Sequence, residues 1–176
     1  MRVTVIGAGP GGYVAALRAA DLGAQVTVLE PAEVGGTCLN SGCIPTKTLI
    51  ASAETLERIK HASDYGIEIP GAVSFNLEKI RERKDKVVQT QVKGIKALIK
   101  SRGVNLLPAR GSLLAEDVVR AVYSDGLTQD IMSERIIIAT GSRPAGIPGL
   151  FADGESVLTS DDAIMLKFVP ASIVII

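Results

Sequence analysis

The hydrophobic pattern switches period several times along the chain. "VTVIG" (residues 3–7) is a short apolar run stopped by glycine, the pattern of a buried strand. "PGGYVAALRAADLG" (10–23) reads as a helix. Pro10 suits its first turn, where a missing N–H costs nothing, and Gly23 suits its end. "AQVTVLE" (24–30) is a second buried strand, so the chain opens with a βαβ unit in about thirty residues.

A cysteine-bearing stretch leads into "TKTLIASAETLERIKHA" (46–62), a second helix, and residues 64–76 read as a connection. From Leu77 to about Lys100 the spacing predicts a long helix. Its apolar face runs through Leu77, Ile80, Val87, Val88, Ile95, Leu98 and Ile99, with Gln91 the one polar member, and Gly103 ends it. "VNLLPARGSLL" reads as strand and turn, and "DVVRAVYSDGLTQDIMS" as a hairpin around Ser124-Asp125-Gly126. "RIIIATGSRP" is another buried strand ending in a loop, and "GIPGL" a turn-rich link. The last residues, "PASIVII", predict an apolar strand that stops without cap or polar tail. Such a strand needs neighbours, which predicts a chain cut short.

Composition narrows this picture. With 47% apolar residues, no tryptophan and few aromatics, the core must be aliphatic, as in α/β proteins with Val/Ile strands. Lys+Arg and Asp+Glu are both 19, which favours neither a nucleic acid nor an anionic membrane as partner. No apolar run is long enough to span a bilayer. The N-terminus has glycines where a signal peptide has its apolar core, so a cytoplasmic location is expected.

Gly7-Ala8-Gly9-Pro10-Gly11-Gly12 fits G-x-G-x-x-G between a predicted strand and a predicted helix. Gly7 allows a tight turn, Gly9 lets backbone approach a pyrophosphate, and Gly12 lets helix and strand pack closely. Phosphates would rest on N–H groups at the helix N-terminus. Glu30 ends the second strand, where a carboxylate can accept hydrogen bonds from ribose hydroxyls. These features together predict a dinucleotide site on a Rossmann-like α/β fold with a parallel sheet, crossover helices and a small β-meander. They do not separate NAD from FAD.

Both cysteines of the chain lie in "GGTCLNSGCIPTK" (35–47). Two cysteines and the single histidine, His61, fall short of the four ligands of a structural zinc site, so no metal is expected. His61 reads as a solvated helix residue. In a regular helix, Cys38 and Cys43 would be about 7.5 Å apart along the axis, too far for a disulfide. Asn40, Ser41 and Gly42 tolerate irregular backbone, so the spacing permits a disulfide without excluding two inert thiols. Pro45 suits the first turn of the following helix, which puts Cys43 near a helix N-terminus.

This stretch closely resembles the redox-active disulfide motif of class I pyridine nucleotide–disulfide oxidoreductases, and most resembles their dihydrolipoamide dehydrogenase branch. Leu39 and Ile44 stand where mercuric and glutathione reductases more often carry valine. The order of glycine loop, acid, cysteine pair and Ala139-Thr140-Gly141 agrees with the family over essentially the whole chain.

The resemblance implies that the dinucleotide is FAD, with Glu30 on the adenosine ribose and Gly7, Gly9, Pro10, Gly11 and Gly12 around the pyrophosphate. It implies that Gly36, Thr37 and Lys47 approach the cofactor, that backbone at Arg110 and Gly111 holds adenine, and that Thr140 and Gly141 line the pyrophosphate or flavin side. Cys43 would be the thiol beside the flavin, and Cys38 the interchange thiol exposed to a dithiol such as dihydrolipoamide. Electrons would pass from dithiol to disulfide, to FAD, and on to NAD+.

By the same resemblance, residues 1–150 form the FAD-binding domain, and 151–176 a linker plus the first strand of an NAD-binding domain. The NAD site, a later acidic FAD contact, a C-terminal His–Glu pair and the interface for a homodimer would lie further on. The 176 residues alone are then not expected to complete turnover. The competing readings are the corresponding part of a mercuric or glutathione-type reductase, and a non-catalytic nucleotide-binding domain.

Overall fold

The computed structural model describes all 176 residues, Met1–Ile176. In chain order the elements are β1 (Arg2–Ile6), α1 (Pro10–Asp21), β2 (Gln25–Leu29), α2 (Gly36–Asn40), α3 (Cys43–Lys60), α4 (Leu77–Ser101), β3 (Asn105–Leu107), β4 (Ala109–Ala115), β5 (Val118–Tyr123), β6 (Thr128–Met132), β7 (Arg135–Ile138) and α5 (Ser160–Ala163). A short 3-10 turn, Ala62–Tyr65, follows α3. No helix is long and apolar enough to cross a membrane.

The chain divides into two compact units. The first holds residues 1–40 and 89–143, the second 41–88 and 144–176.

In the first unit, a parallel sheet runs in the order β3-β2-β1-β7. Val3, Val5, Val26 and Val28 are buried, as central parallel strands covered on both faces require. Thr4, a polar residue in the middle of β1, is tolerated because its hydroxyl shares a 2.6 Å hydrogen bond with that of Ser133. Gly12 and Ala16 are the buried residues of α1. Gly12 is obligatory, since a Cβ there would collide with the carbonyl oxygen of Gly7 and sit 3.3 Å from the Ala139 side chain.

The antiparallel meander β4-β5-β6 is the second sheet of this unit. Ala109, Val119 and Ala121 of the meander form one buried cluster with Ile6 and Leu29, the last residues of β1 and β2. The meander is thereby fixed at the C-terminal end of the parallel strands, where open α/β sheets place their ligands.

In the second unit, Arg83 on α4 donates from Nη1 to the carbonyl of Thr48 on α3 at 3.2 Å. Thr159 caps α5 in a reciprocal capping box with Asp162, whose carboxylate accepts from the Thr159 hydroxyl at 2.6 Å. The Thr159 hydroxyl and backbone N–H, in that order of weight, hold the Asp162 carboxyl below the usual aspartate range.

Ser172–Ile176 pairs with no other segment of these 176 residues, and Val174, Ile175 and Ile176 are 85–90% exposed. The buried positions of α4 differ from its predicted face. Gln91 and Leu98 are exposed, while Lys84 and Val92 are buried. Lys84 is only 2% exposed because its ammonium reaches Asp85 Oδ1 at 3.0 Å, Met165 Sδ at 3.3 Å and the carbonyl of Ile164 at 3.5 Å.

Candidate functional site

The loop from Gly7 to Gly9 leaves β1 and enters α1 with Pro10 at the first helical position. No side chain caps this end, and the first turn carries no acidic residue. The leading N–H groups of α1 are therefore left for an anion. Ala8, between the two glycines, is bonded on both sides. Its N–H donates to Glu30 Oε2 at 2.8 Å, and its carbonyl accepts from the N–H of Gly35 at 2.8 Å. The other Glu30 oxygen accepts from Ala32 N–H at 3.0 Å. Each carboxylate oxygen keeps acceptor capacity for a further donor.

Gly36 meets the same loop. Its φ is +55°, and a Cβ there would stand 2.7 Å from the Cα of Gly9. Two backbones touch at this point, so only glycine serves at position 36. The contact brings the start of α2, and hence Cys38 two residues on, to the glycine loop.

A cavity of about 380 Å³ opens beside the loop. Ile6, Leu29 and Gly111 supply apolar and backbone surface; Glu30, Thr140, Arg110 and Arg143 bring polar groups. The structure thus gathers Gly7, Glu30, Arg110, Gly111 and Thr140 of the sequence-predicted set in one place. Gly9, Pro10, Gly11 and Gly12 form the adjoining helix entry, and Gly141 follows Thr140 with φ +76°. Arg143 was missed, although it stands two residues beyond Gly141 in "ATGSRP". Ile6, Leu29, Pro31 and Ala32 were also missed, because strand ends read as core alone.

The two cysteines lie on either side of a helix break. Cys38 is half-buried in α2; α2 ends at Asn40, whose side-chain amide donates to the carbonyls of Gly36 at 3.0 Å and Val34 at 3.1 Å. After Ser41-Gly42, Cys43 opens α3 and is exposed. Both sulfurs are in the thiol form here.

In the second unit, Cys43 and Lys47 are four apart on α3 and both exposed, so they share one helix face. Thr37 is exposed on α2. His61 caps the end of α3, exposed, with Nε2 3.1 Å from Glu57 Oε1 on its own helix, as expected of a solvated helix residue.

The residues present suit a dinucleotide. A backbone cradle at Gly9 and Gly36 admits no side chain, an uncapped helix start meets phosphate, and a carboxylate with spare lone pairs borders an adenosine-sized cavity.

Comparison with known proteins shows the family and the fold. The family model for pyridine nucleotide-disulphide oxidoreductases matches residues 1–176. A dihydrolipoyl dehydrogenase of Bacillus subtilis is 41% identical over 99% of this chain and 38% of its own length. The mitochondrial dihydrolipoyl dehydrogenase of Rattus norvegicus is 43% identical over 99% of this chain and 35% of its own length. The crystal structure of LpdA from Mycobacterium tuberculosis superposes with a TM-score of 0.89 at 30% identity, over 97% of this chain and 38% of that one. The chain therefore spans 35–38% of the length of these relatives.

Proposed function

The chain belongs to the pyridine nucleotide-disulphide oxidoreductase family, and from that premise we propose that it binds FAD and carries the dithiol-exchanging cysteine pair of a dihydrolipoyl dehydrogenase-like enzyme. The observation that carries this reading is the contact of Gly36 with Gly9. It supports the reading by bringing the start of α2, the helix that carries Cys38, to the dinucleotide loop within the first unit.

Each residue then has a chemical task. The N–H groups at the start of α1 donate to the pyrophosphate, and Glu30 accepts hydrogen bonds from the adenosine ribose. Backbone at Arg110 and Gly111 borders the adenine. Gly36, Thr37, Thr140 and Gly141 follow the cofactor toward its flavin end. FAD, when bound, supplies two-electron acceptance from the reduced cysteine pair.

The protein's own step is thiol–disulfide exchange. With Cys38 and Cys43 oxidised to a disulfide, one substrate thiolate attacks the Cys38 sulfur and the bond to Cys43 breaks. Cys43 leaves as the thiolate. The second substrate thiolate then attacks its own sulfur in the mixed disulfide and releases Cys38. The substrate dithiol is oxidised to a disulfide, the cysteines are reduced, and two protons are released. Lys47, on the same helix face as Cys43, offers a cation where negative charge collects. The substrate class is a small dithiol such as dihydrolipoamide, and NAD+ is the final acceptor in the complete reaction.

Absorption spectroscopy tests this. Protein mixed with FAD should retain yellow colour through gel filtration. On partial reduction with a dithiol it should gain a long-wavelength shoulder, which Cys43→Ser abolishes and Cys38→Ser preserves. Protein that emerges colourless from gel filtration after mixing with excess FAD overturns the reading.

A further inference from the structure

Lys84 and Met165, both in the second unit, make a contact that dithiol exchange does not use. The Lys84 side chain is buried on α4, yet the Met165 it reaches, just after α5, is 53% exposed. The ammonium has three donors. They meet the Asp85 carboxylate at 3.0 Å, the Met165 sulfur at 3.3 Å and the carbonyl of Ile164 at 3.5 Å. A buried charge keeps its partners, so the carboxylate and the carbonyl hold the ammonium against the sulfur. A thioether sulfur carries two lone pairs, one on each face of its C–S–C plane. Lys84 engages one of them from the protein side and leaves the other for a reagent from solvent.

We propose that Met165 is an oxidation site for peroxides, and that Lys84 sets which face of its sulfur takes the oxygen. The free lone pair attacks the near oxygen of hydrogen peroxide. The S–O bond forms as the O–O bond breaks, and the proton of the near oxygen passes to the departing oxygen, which leaves as water. Sulfur loses two electrons and the peroxide gains them. The sulfoxide is chiral at sulfur, so attack on one face gives one epimer in excess. Sulfoxide reductases take one epimer each. Oxidised Met165 is therefore restored by one class of reductase and largely passed over by the other.

Met132 on β6, 49% exposed, is the internal comparison. Arg135 separates the two methionines into different tryptic peptides. The purified protein is oxidised in part with hydrogen peroxide and digested. Samples of the peptides are then given an S-specific or an R-specific sulfoxide reductase, and mass spectrometry measures the sulfoxide that remains. One epimer should exceed the other about fivefold at Met165, within the range a hydrogen bond to the blocked lone pair supports, and the two should be equal at Met132. Lys84→Leu should bring Met165 to equality. Because that substitution falls at a buried position, wild-type protein oxidised in urea supplies a second reference, which should also show equal epimers. Equal epimers at Met165 in the folded wild type overturn the proposal, as does an excess that survives in urea or in folded Lys84→Leu. Conversion of Met132 with Met165 untouched overturns it too, since the ammonium then shields the sulfur outright.

Discussion

The carboxylate of Glu30 accepts a 2.8 Å hydrogen bond from the backbone N–H of Ala8. The acid that ends β2 is therefore wired into the glycine loop that ends β1. Through its carbonyl, Ala8 also accepts from the N–H of Gly35, next to the start of α2. Glu30 thus has two duties, to hold the loop and to receive the ribose, and substitutions can separate them. Glu30→Gln keeps an oxygen for Ala8 and loses the charge. It should melt near the wild type yet bind FAD roughly 10- to 100-fold more weakly, the range for charge-assisted hydrogen bonds. Glu30→Ala should lose both affinity and melting temperature. Unchanged FAD affinity in both variants would place the adenosine elsewhere.

Adjacent glycines in α1 should respond in opposite directions. Alanine at Gly12 drives its methyl into the Gly7 carbonyl, which is backbone and cannot step aside. Gly12→Ala should cost about 1–3 kcal/mol. Nothing lies within 4 Å of a Cβ added at Gly11, so Gly11→Ala should gain about 0.5–1 kcal/mol from its better helix propensity. If phosphates rest on this helix end, Gly11→Ala should nonetheless weaken FAD binding. Denaturant titration with and without FAD measures both effects.

These contrasts show what was readable from residues alone. The opening βαβ unit was legible because buried strands are short apolar runs and glycine punctuates both turns; β1, α1 and β2 fall within a residue or two of expectation. The β4-β5-β6 meander was legible from its alternation and from Gly126 at the hairpin turn. Helix α2 was not, since five residues holding glycine, threonine and asparagine carry no helical period. Burial of Lys84 was invisible because its partners at Ile164 and Met165 come from 80 residues away. Glu30 could be singled out from its place after the second apolar run, and the cysteine pair from the family resemblance of residues 35–47. Arg143 was missed because its place in the cavity depends on where β7 ends in space.

Acid should loosen the loop before α5. Asp153 Oδ1 accepts from the N–H groups of Val157, Glu155 and Ser156, each at 2.8 Å. These bonds, with Val157 the largest contributor, hold its carboxyl below the ordinary value of 3.8. A carboxyl depressed in the folded state contributes stability above its unfolded pKa and loses it as pH falls through the folded value. Asp153→Asn should therefore melt below the wild type at about pH 7, and the difference should shrink as pH falls below the ordinary aspartate range. A gap that persists in acid would show that the charge is not what stabilises the turn.

Thiol labelling tests the cysteine arrangement without any turnover. In the flavin-free protein Cys43 is exposed and Cys38 half-buried, so a thiol alkylating reagent should modify Cys43 first. If the flavin ring lies against Cys43, adding FAD should slow that modification severalfold. Cys38, placed to meet an incoming dithiol, should keep its rate. Tryptic cleavage after Arg18 and Lys47 leaves both cysteines on one peptide, and its fragmentation in the mass spectrometer resolves the two positions. FMN serves as the internal comparison: it brings a flavin but no adenosine, so it should protect Cys43 only at higher concentration. Protection of Cys38 in place of Cys43 would exchange the two roles, and protection of neither would separate the sulfurs from the cofactor altogether.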